Sequence, residues 1–200
     1  MKNNYIKTLL IFSFFALNIN AQSWSTFGSG VNGNVYAMAE YNGDLYVAGN
    51  FTTAGGIPAR NIARWNGTSW DSVGSGLESW GWSLCVYNGE LFVGGYFNYA
   101  GGIYSPHIAR WNGTSWSTAG SGMGGGIVYA MAVYNGKLFP CGNFFVADGI
   151  PANSIAQWNG NNWDSVGGGV AGPHGTAESL TVYKGKLIVG GDFIIAGGQT

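Results

Sequence analysis

Along this chain, short runs of β-branched and aromatic residues alternate with turns built from glycine and asparagine. VYAMAEY (35–41) runs into Asn42-Gly43, and DLYVAGNF (44–51) follows at once. An Asn-Gly pair between two such runs predicts a hairpin, because both residues tolerate the positive φ of a type I′ turn. A glycine-rich loop, AGGIPA, then leads into NIARW (61–65), and Asn66-Gly67 opens a second tight turn into TSWDSVG. Short strands closed by frequent turns predict an antiparallel all-β fold. The glycine density and the lack of a 3.6-residue apolar period exclude helix.

This grammar repeats. Trp70, Trp116 and Trp163 follow Trp24 at spacings of 46, 46 and 47, while Tyr87, Tyr134 and Tyr183 follow Tyr41 at 46, 47 and 49. Phe51, Phe97, Phe144 and Phe193 keep the same rhythm. The units are 24–69, 70–115, 116–162 and a truncated 163–200, with no linker between them, so the reading is one domain over 22–200. Four short strands repeated every 46–49 residues predict a β-propeller of four-stranded antiparallel blades. In the first strands Met38, Leu84, Met131 and Leu180 are large and their neighbours Ala39, Cys85, Ala132 and Thr181 small, a pattern of strands covered on both faces.

LYVAGN and LFVGGY, followed by the tryptophans of NIARWNGTSW, resemble the kelch repeat, in which a double glycine ends the second strand and aromatics follow at set distances. The resemblance covers residues 24–200 and implies a kelch-like propeller. Ala48-Gly49 and Cys141-Gly142 depart from the glycine pair. Counting a lone outer strand at Trp24, the fourth blade is one strand short, so the expectation is an incomplete ring, the front part of a longer propeller. A tight, imperfect four-bladed ring is the alternative. The lone N-terminal strand is what ring closure needs to cover the edge of the last blade.

Composition narrows the function. Only 8% of the 200 residues are charged, while Trp, Tyr and Phe total 31, enough for a core and contrary to disorder. A net charge of −1 without a basic run argues against nucleic-acid binding. Residues 1–21 read as a signal peptide: Lys2 and Lys7 precede an apolar run, Leu9 to Leu17, and Ile19-Asn20-Ala21 offers a cleavage site before Gln22. That run is too short to span a bilayer, so no stable membrane span is expected after its removal. The mature chain is expected to be secreted or held at the cell surface.

Comparison of the units separates scaffold from candidate function. The tight turns Asn42-Gly43, Asn88-Gly89, Asn135-Gly136 and Lys184-Gly185 are nearly alike, as turn geometry demands, whereas loops at the opposite rim diverge. The ligand-binding candidates lie there: Glu78, Trp80, Tyr104, His107, His174 and Glu178. Drift in unconstrained loops would give the same divergence. Trp80 has no aromatic counterpart in other units, so it suits stacking against a ligand, while Trp82 matches Tyr36 and Tyr129 and reads as packing. Trp65, Trp111, Trp158, Trp70, Trp116 and Trp163 also read as packing.

No catalytic residue, metal site or cofactor is expected, and no nucleophile elbow, phosphate loop or calcium loop occurs. The copper centre of oxidases with kelch-like propellers takes two histidines, two tyrosines and a cysteine; here His107 and His174 stand 67 residues apart. Arg64 and Arg110 are expected to pair across a blade. Cys85 and Cys141 are expected as buried thiols, a disulfide being the alternative that export permits. Pro140 is expected to cause a bulge. The resulting reading is an exported, non-catalytic binding module for a glycan or an extracellular surface protein. The alternatives are a repeat segment of a larger secreted adhesin or enzyme, with its active or sorting module beyond residue 200, and a carbohydrate-active enzyme using acids such as Glu78 and Glu178.

Overall fold

The computed structural model describes residues 26–198; the expected leader over 1–21, the outer strand at Trp24 and the last two residues lie outside them. The β-prone runs form antiparallel meanders. β1 (Asn34–Tyr41), β2 (Asp44–Asn50), β3 (Ile62–Trp65) and β4 (Trp70–Ser72) make the first sheet, in that order. β5 (Gly81–Tyr87), β6 (Glu90–Gly95), β7 (Ile108–Trp111) and β8 (Trp116–Thr118) make the second. The third comprises β9 (Val128–Tyr134), β10 (Lys137–Gly142), β11 (Ala156–Trp158) and β12 (Trp163–Ser165). β13 (Thr176–Tyr183) and β14 (Lys186–Asp192) pair as a two-stranded sheet. No helix occurs among the described residues.

The two kinds of turn solve their geometry differently. Asn42-Gly43, Asn88-Gly89, Asn135-Gly136 and Lys184-Gly185 hold both residues at positive φ, as type I′ turns require. In the second turn only the glycine has positive φ, and the preceding Asn side chain organises the loop. Asn66 Oδ1 accepts the N–H groups of Thr68 and Ser69 at 3.0 and 2.9 Å, and Asn112 and Asn159 act alike. The recurrence of Asn-Gly-Thr is therefore loop geometry.

Each first strand carries one extra residue near its start. Pairing skips a position between Val35 and Ala37, Gly81 and Ser83, Val128 and Ala130, and Ala177 and Ser179. The bulged residues are Tyr36, Trp82, Tyr129 and Glu178. Opposite each bulge stands the second residue of the glycine pair: Gly49, Gly95, Gly142 or Gly191. A Cβ there would run into the carbonyl oxygen of Asn34, Trp80, Ile127 or Thr176. Only that second position excludes a side chain in every unit, so Ala48 and Cys141 at the first position are compatible with the same backbone.

Successive sheets are joined by contacts between their first strands, β1 to β5 to β9 to β13. Two hydrogen bonds recur at these junctions. The hydroxyls of Tyr41, Tyr87 and Tyr134 donate to the turn carbonyls of Gly89, Gly136 and Gly185 in the following unit, at 2.9, 3.1 and 2.8 Å. The indole N–H groups of Trp116 and Trp163 donate backwards to the carbonyls of Val73 and Ala119, at 3.0 and 2.8 Å, and Trp70 makes the same bond at 2.8 Å to Phe27 ahead of the first sheet. Apolar packing fills the space between: Tyr41, Tyr46, Ala48 and Ile62 of the first sheet meet Leu84, Leu91, Val93 and Trp111 of the second. The tryptophans of the third and fourth strands also pair, with centroids 4.8–5.4 Å apart.

The outward faces of the series differ from the junctions. Met38 is 67% exposed, whereas its counterparts Leu84 and Met131 pack against the preceding sheet. Beside Met38 lies a hollow of about 490 Å³, lined by Phe27, Val31, Val35, Leu45 and Val47. At the other end Tyr183 and Ile188 are exposed, although their counterparts Tyr41 and Tyr46 are buried.

Pro140 does not form the expected bulge. It pairs in register with Met131, and its cost falls on the other side of the strand. There β10 keeps one partner in β11, Leu138 with Trp158, plus an isolated bridge from Cys141 to Ile155, where β2 and β3 pair continuously from Leu45 to Ala48. A residue without an N–H interrupts a ladder without adding length to the strand. Arg64 pairs across its sheet with Asp71 at 2.7 Å and Asp44 at 3.5 Å, and Arg110 with Glu90 at 3.0 Å.

Gly142→Ala is expected to cost about 3 kcal/mol, because its methyl meets backbone. Cys141→Ala next to it should cost about 1 kcal/mol. Urea unfolding midpoints compare the two. Equal losses would remove the bulge as the reason for the repeated second glycine.

Candidate functional site

The bulge end of each first strand lies opposite its tight turn, on the side of the loops that join second to third strands. These loops carry two-residue ribbons, Thr53–Ala54 with Ile57–Pro58, Tyr99–Ala100 with Ile103–Tyr104, and Val146–Ala147 with Ile150–Pro151. The loops return to the sheet through a residue in the left-handed region: Asn61 (φ 62°), His107 (φ 64°) or Ser154 (φ 72°). The loops of the second unit hold four of the six candidate residues.

Trp80 is 40% exposed and tilts against Tyr96 with centroids 6.5 Å apart. The Tyr96 ring in turn stacks on His107 at 6.1 Å. Tyr104 is exposed and meets Tyr99 edge to face at 5.4 Å. Glu78 is held by the loop: its Oε2 accepts the Asn98 N–H at 3.0 Å, and its own N–H donates to the Tyr99 carbonyl at 2.9 Å. Tyr104 and His107 share a groove of about 360 Å³ with Asn98, Pro106 and Ser121, while Glu78 lies in a separate hollow beside Arg60. Trp80, Tyr96 and His107 thus form a continuous aromatic strip, and Tyr96 is the member that the sequence did not single out.

His107 occupies a slot whose other occupants make side-chain bonds. Asn61 donates to the Leu77 carbonyl at 3.2 Å, and Ser154 to the Gly175 carbonyl at 2.5 Å. His107 Nδ1 is buried without a partner. Burial pushes the imidazole pKa below its ordinary value, an effect partly offset by the Gly95 backbone.

The other two candidates lie elsewhere. His174 Nδ1 sits 2.6 Å from Asp192 Oδ2, in an exposed pair. Glu178 belongs to the bulges. With Val35, Tyr36, Trp82 and Tyr129 it lines a cavity of about 620 Å³. The Tyr36 and Trp82 rings stack at 4.3 Å with planes 8° apart, and Tyr129 meets Trp82 perpendicularly at 6.0 Å. Burial, with the nearby Glu178 charge, raises the Tyr129 hydroxyl pKa. Trp82 Nε1 is buried without a partner. Trp82 therefore packs, as expected, against its own counterparts, yet the stack it forms lines a cavity. The available signal was the register: aromatic, aromatic, aromatic, acid at one repeated position.

Cys85 and Cys141 are both free; Cys141 is buried as expected, whereas Cys85 is only half-buried. Burial pushes their thiols up to about 11 and about 12, so neither is a thiolate at neutral pH. No group of three or more His, Cys, Asp or Glu side chains gathers among the described residues. No protein-family model and no curated protein matches the chain.

The lowered His107 pKa makes a pH prediction. The unfolded chain takes up this proton more readily than the folded one, so His107 should contribute a loss of stability as pH falls through and below the ordinary histidine range. His107→Asn should remove that contribution and, since Asn suits left-handed φ, stabilise the protein at pH 7 by up to about 1 kcal/mol. Urea midpoints for both proteins between pH 7 and about 5 test it. An unchanged pH profile would count against the assignment.

Proposed function

We propose that this chain is an exported β-propeller, similar to the kelch type, serving as a non-catalytic binding module for a glycan or an extracellular protein. Three observations support the architecture: serial first-strand contacts, locks repeated at each junction, and outward faces matched to those that pair between units. The observation that carries the binding reading is the strip of Trp80, Tyr96 and His107 on divergent loops. An exposed flat ring beside hydrogen-bonding groups suits the face of a sugar, and the groove of Tyr104 and His107 supplies such groups next to it. No helix among the described residues is long and apolar enough to cross a membrane.

A second reading makes these units a segment of a larger secreted adhesin or enzyme. The observation in its favour is the exposure of Tyr183 and Ile188, whose counterparts are buried by a following unit.

On a glycan array, Trp80→Ala is expected to weaken any hit at least tenfold, about 1.4 kcal/mol. Its stability should change by less than about 1 kcal/mol. Lys184→Asn, in a turn at the opposite end of the strands, should leave affinity unchanged. A reversal of these effects would move the site to the other rim. For export, N-terminal sequencing of mature protein should begin at or near Gln22, and an intact Met1 would defeat that part of the reading.

A further inference from the structure

We infer that the cavity at the four bulges binds a methylated ammonium group, held against the aromatic wall of Trp82 and Tyr129, with Tyr36 stacked on Trp82 and the Glu178 carboxylate as its counter-ion. This site is separate from the Trp80 strip and does not depend on a glycan being the ligand there. Four units contribute the same register position to it, and three of the four contributions are aromatic. The fourth is an acid. Ring faces carry negative quadrupole potential, and a carboxylate adds to it, so the cavity as a whole favours a cation.

Among the described residues no protein group meets that demand. Arg64 and Arg110 are engaged with acids of their own sheets, Lys137 donates to Gln157, and Lys184 lies over Tyr183. None of the basic residues lines the cavity, and Glu178 forms no ion pair among the described residues.

The choice of a methylated ammonium follows from what the walls lack. A primary ammonium brings three N–H donors that must find acceptors on leaving water. Besides Glu178, the side-chain acceptors of the lining are the hydroxyls of Tyr36 and Tyr129, and the Tyr36 hydroxyl already accepts from Asn34. Methyl groups remove the donors, spread the charge and present an apolar shell that packs on rings. The volume, about 620 Å³, lies within the range of small-molecule sites.

Calorimetric titration of the mature chain with choline, and with 3,3-dimethylbutan-1-ol as its uncharged analogue, tests the inference. Choline is expected to bind saturably, and the analogue at least tenfold more weakly. Glu178→Gln should lower choline affinity about five- to tenfold and leave the analogue's binding unchanged. Trp82→Leu should lower choline binding at least tenfold. Because Trp82 packs between Tyr36 and Tyr129, exposed Glu178 provides the variant that stays informative if Trp82→Leu unfolds. Absence of saturable choline binding by folded protein, equal affinity for the analogue, or indifference to Glu178→Gln would overturn the inference. Free choline and a choline lipid headgroup share this chemistry. Phosphatidylcholine vesicles that displace free choline would identify the lipid as the source, and vesicles that leave it bound would identify a soluble ligand.

Discussion

The structure depends on one steric constraint: a bulge at the start of every first strand, with a glycine forced to stand opposite it. The extra residue pushes the preceding carbonyl towards the neighbouring strand, into the space a Cβ would occupy at Gly49, Gly95, Gly142 or Gly191. Two consequences follow from the same atoms. The second strand must carry glycine at that position, which sets the most visible repeated feature of the sequence. The bulged residue is also freed from strand alternation, so Tyr36, Trp82, Tyr129 and Glu178 are presented together instead of being dispersed over sheet faces.

Around this constraint the units hold together by repetition. Every junction among the first three sheets is bonded in both directions, by a tyrosine hydroxyl reaching forward to a turn and an indole N–H reaching back to a loop. These donors lie in largely apolar surroundings, where an unmet hydrogen bond is costly, so they fix the spacing between sheets as well as filling space. Such a frame leaves the loops free to differ. His107 illustrates the trade: its slot requires left-handed backbone, which Asn61 fills with side-chain bonds, whereas His107 leaves its buried Nδ1 without a partner. What it contributes instead is a ring for Tyr96.

Strand positions and turn types were legible in the sequence because they depend on near neighbours. Asn-Gly between β-prone runs specifies a hairpin wherever it falls, and the observed strands follow the runs closely. The packing role of the paired tryptophans was legible too, since a large apolar ring repeated in every unit needs a repeated partner. For Pro140 the missing N–H is legible in the sequence, but whether it meets the first strand or the third depends on register. The candidate loop residues were legible as an uneven set, not as a site. That Trp80 joins His107 through Tyr96, that Glu78 is tied to Asn98, and that His174 pairs with Asp192 are facts of loop folding.

By itself, then, the sequence determined the local order of the chain: the all-β character, the period of the units, the tight turns, and which residues are scaffold and which diverge. Short-range forces decide these, and they act between residues close in the chain. Only the tertiary structure decided which distant residues meet. Tyr36 and Glu178 are separated by most of the chain, yet line one cavity, because each occupies the bulge of its own strand and the strands pack in series. No local pattern encodes that meeting, since it follows from how one sheet docks on the next.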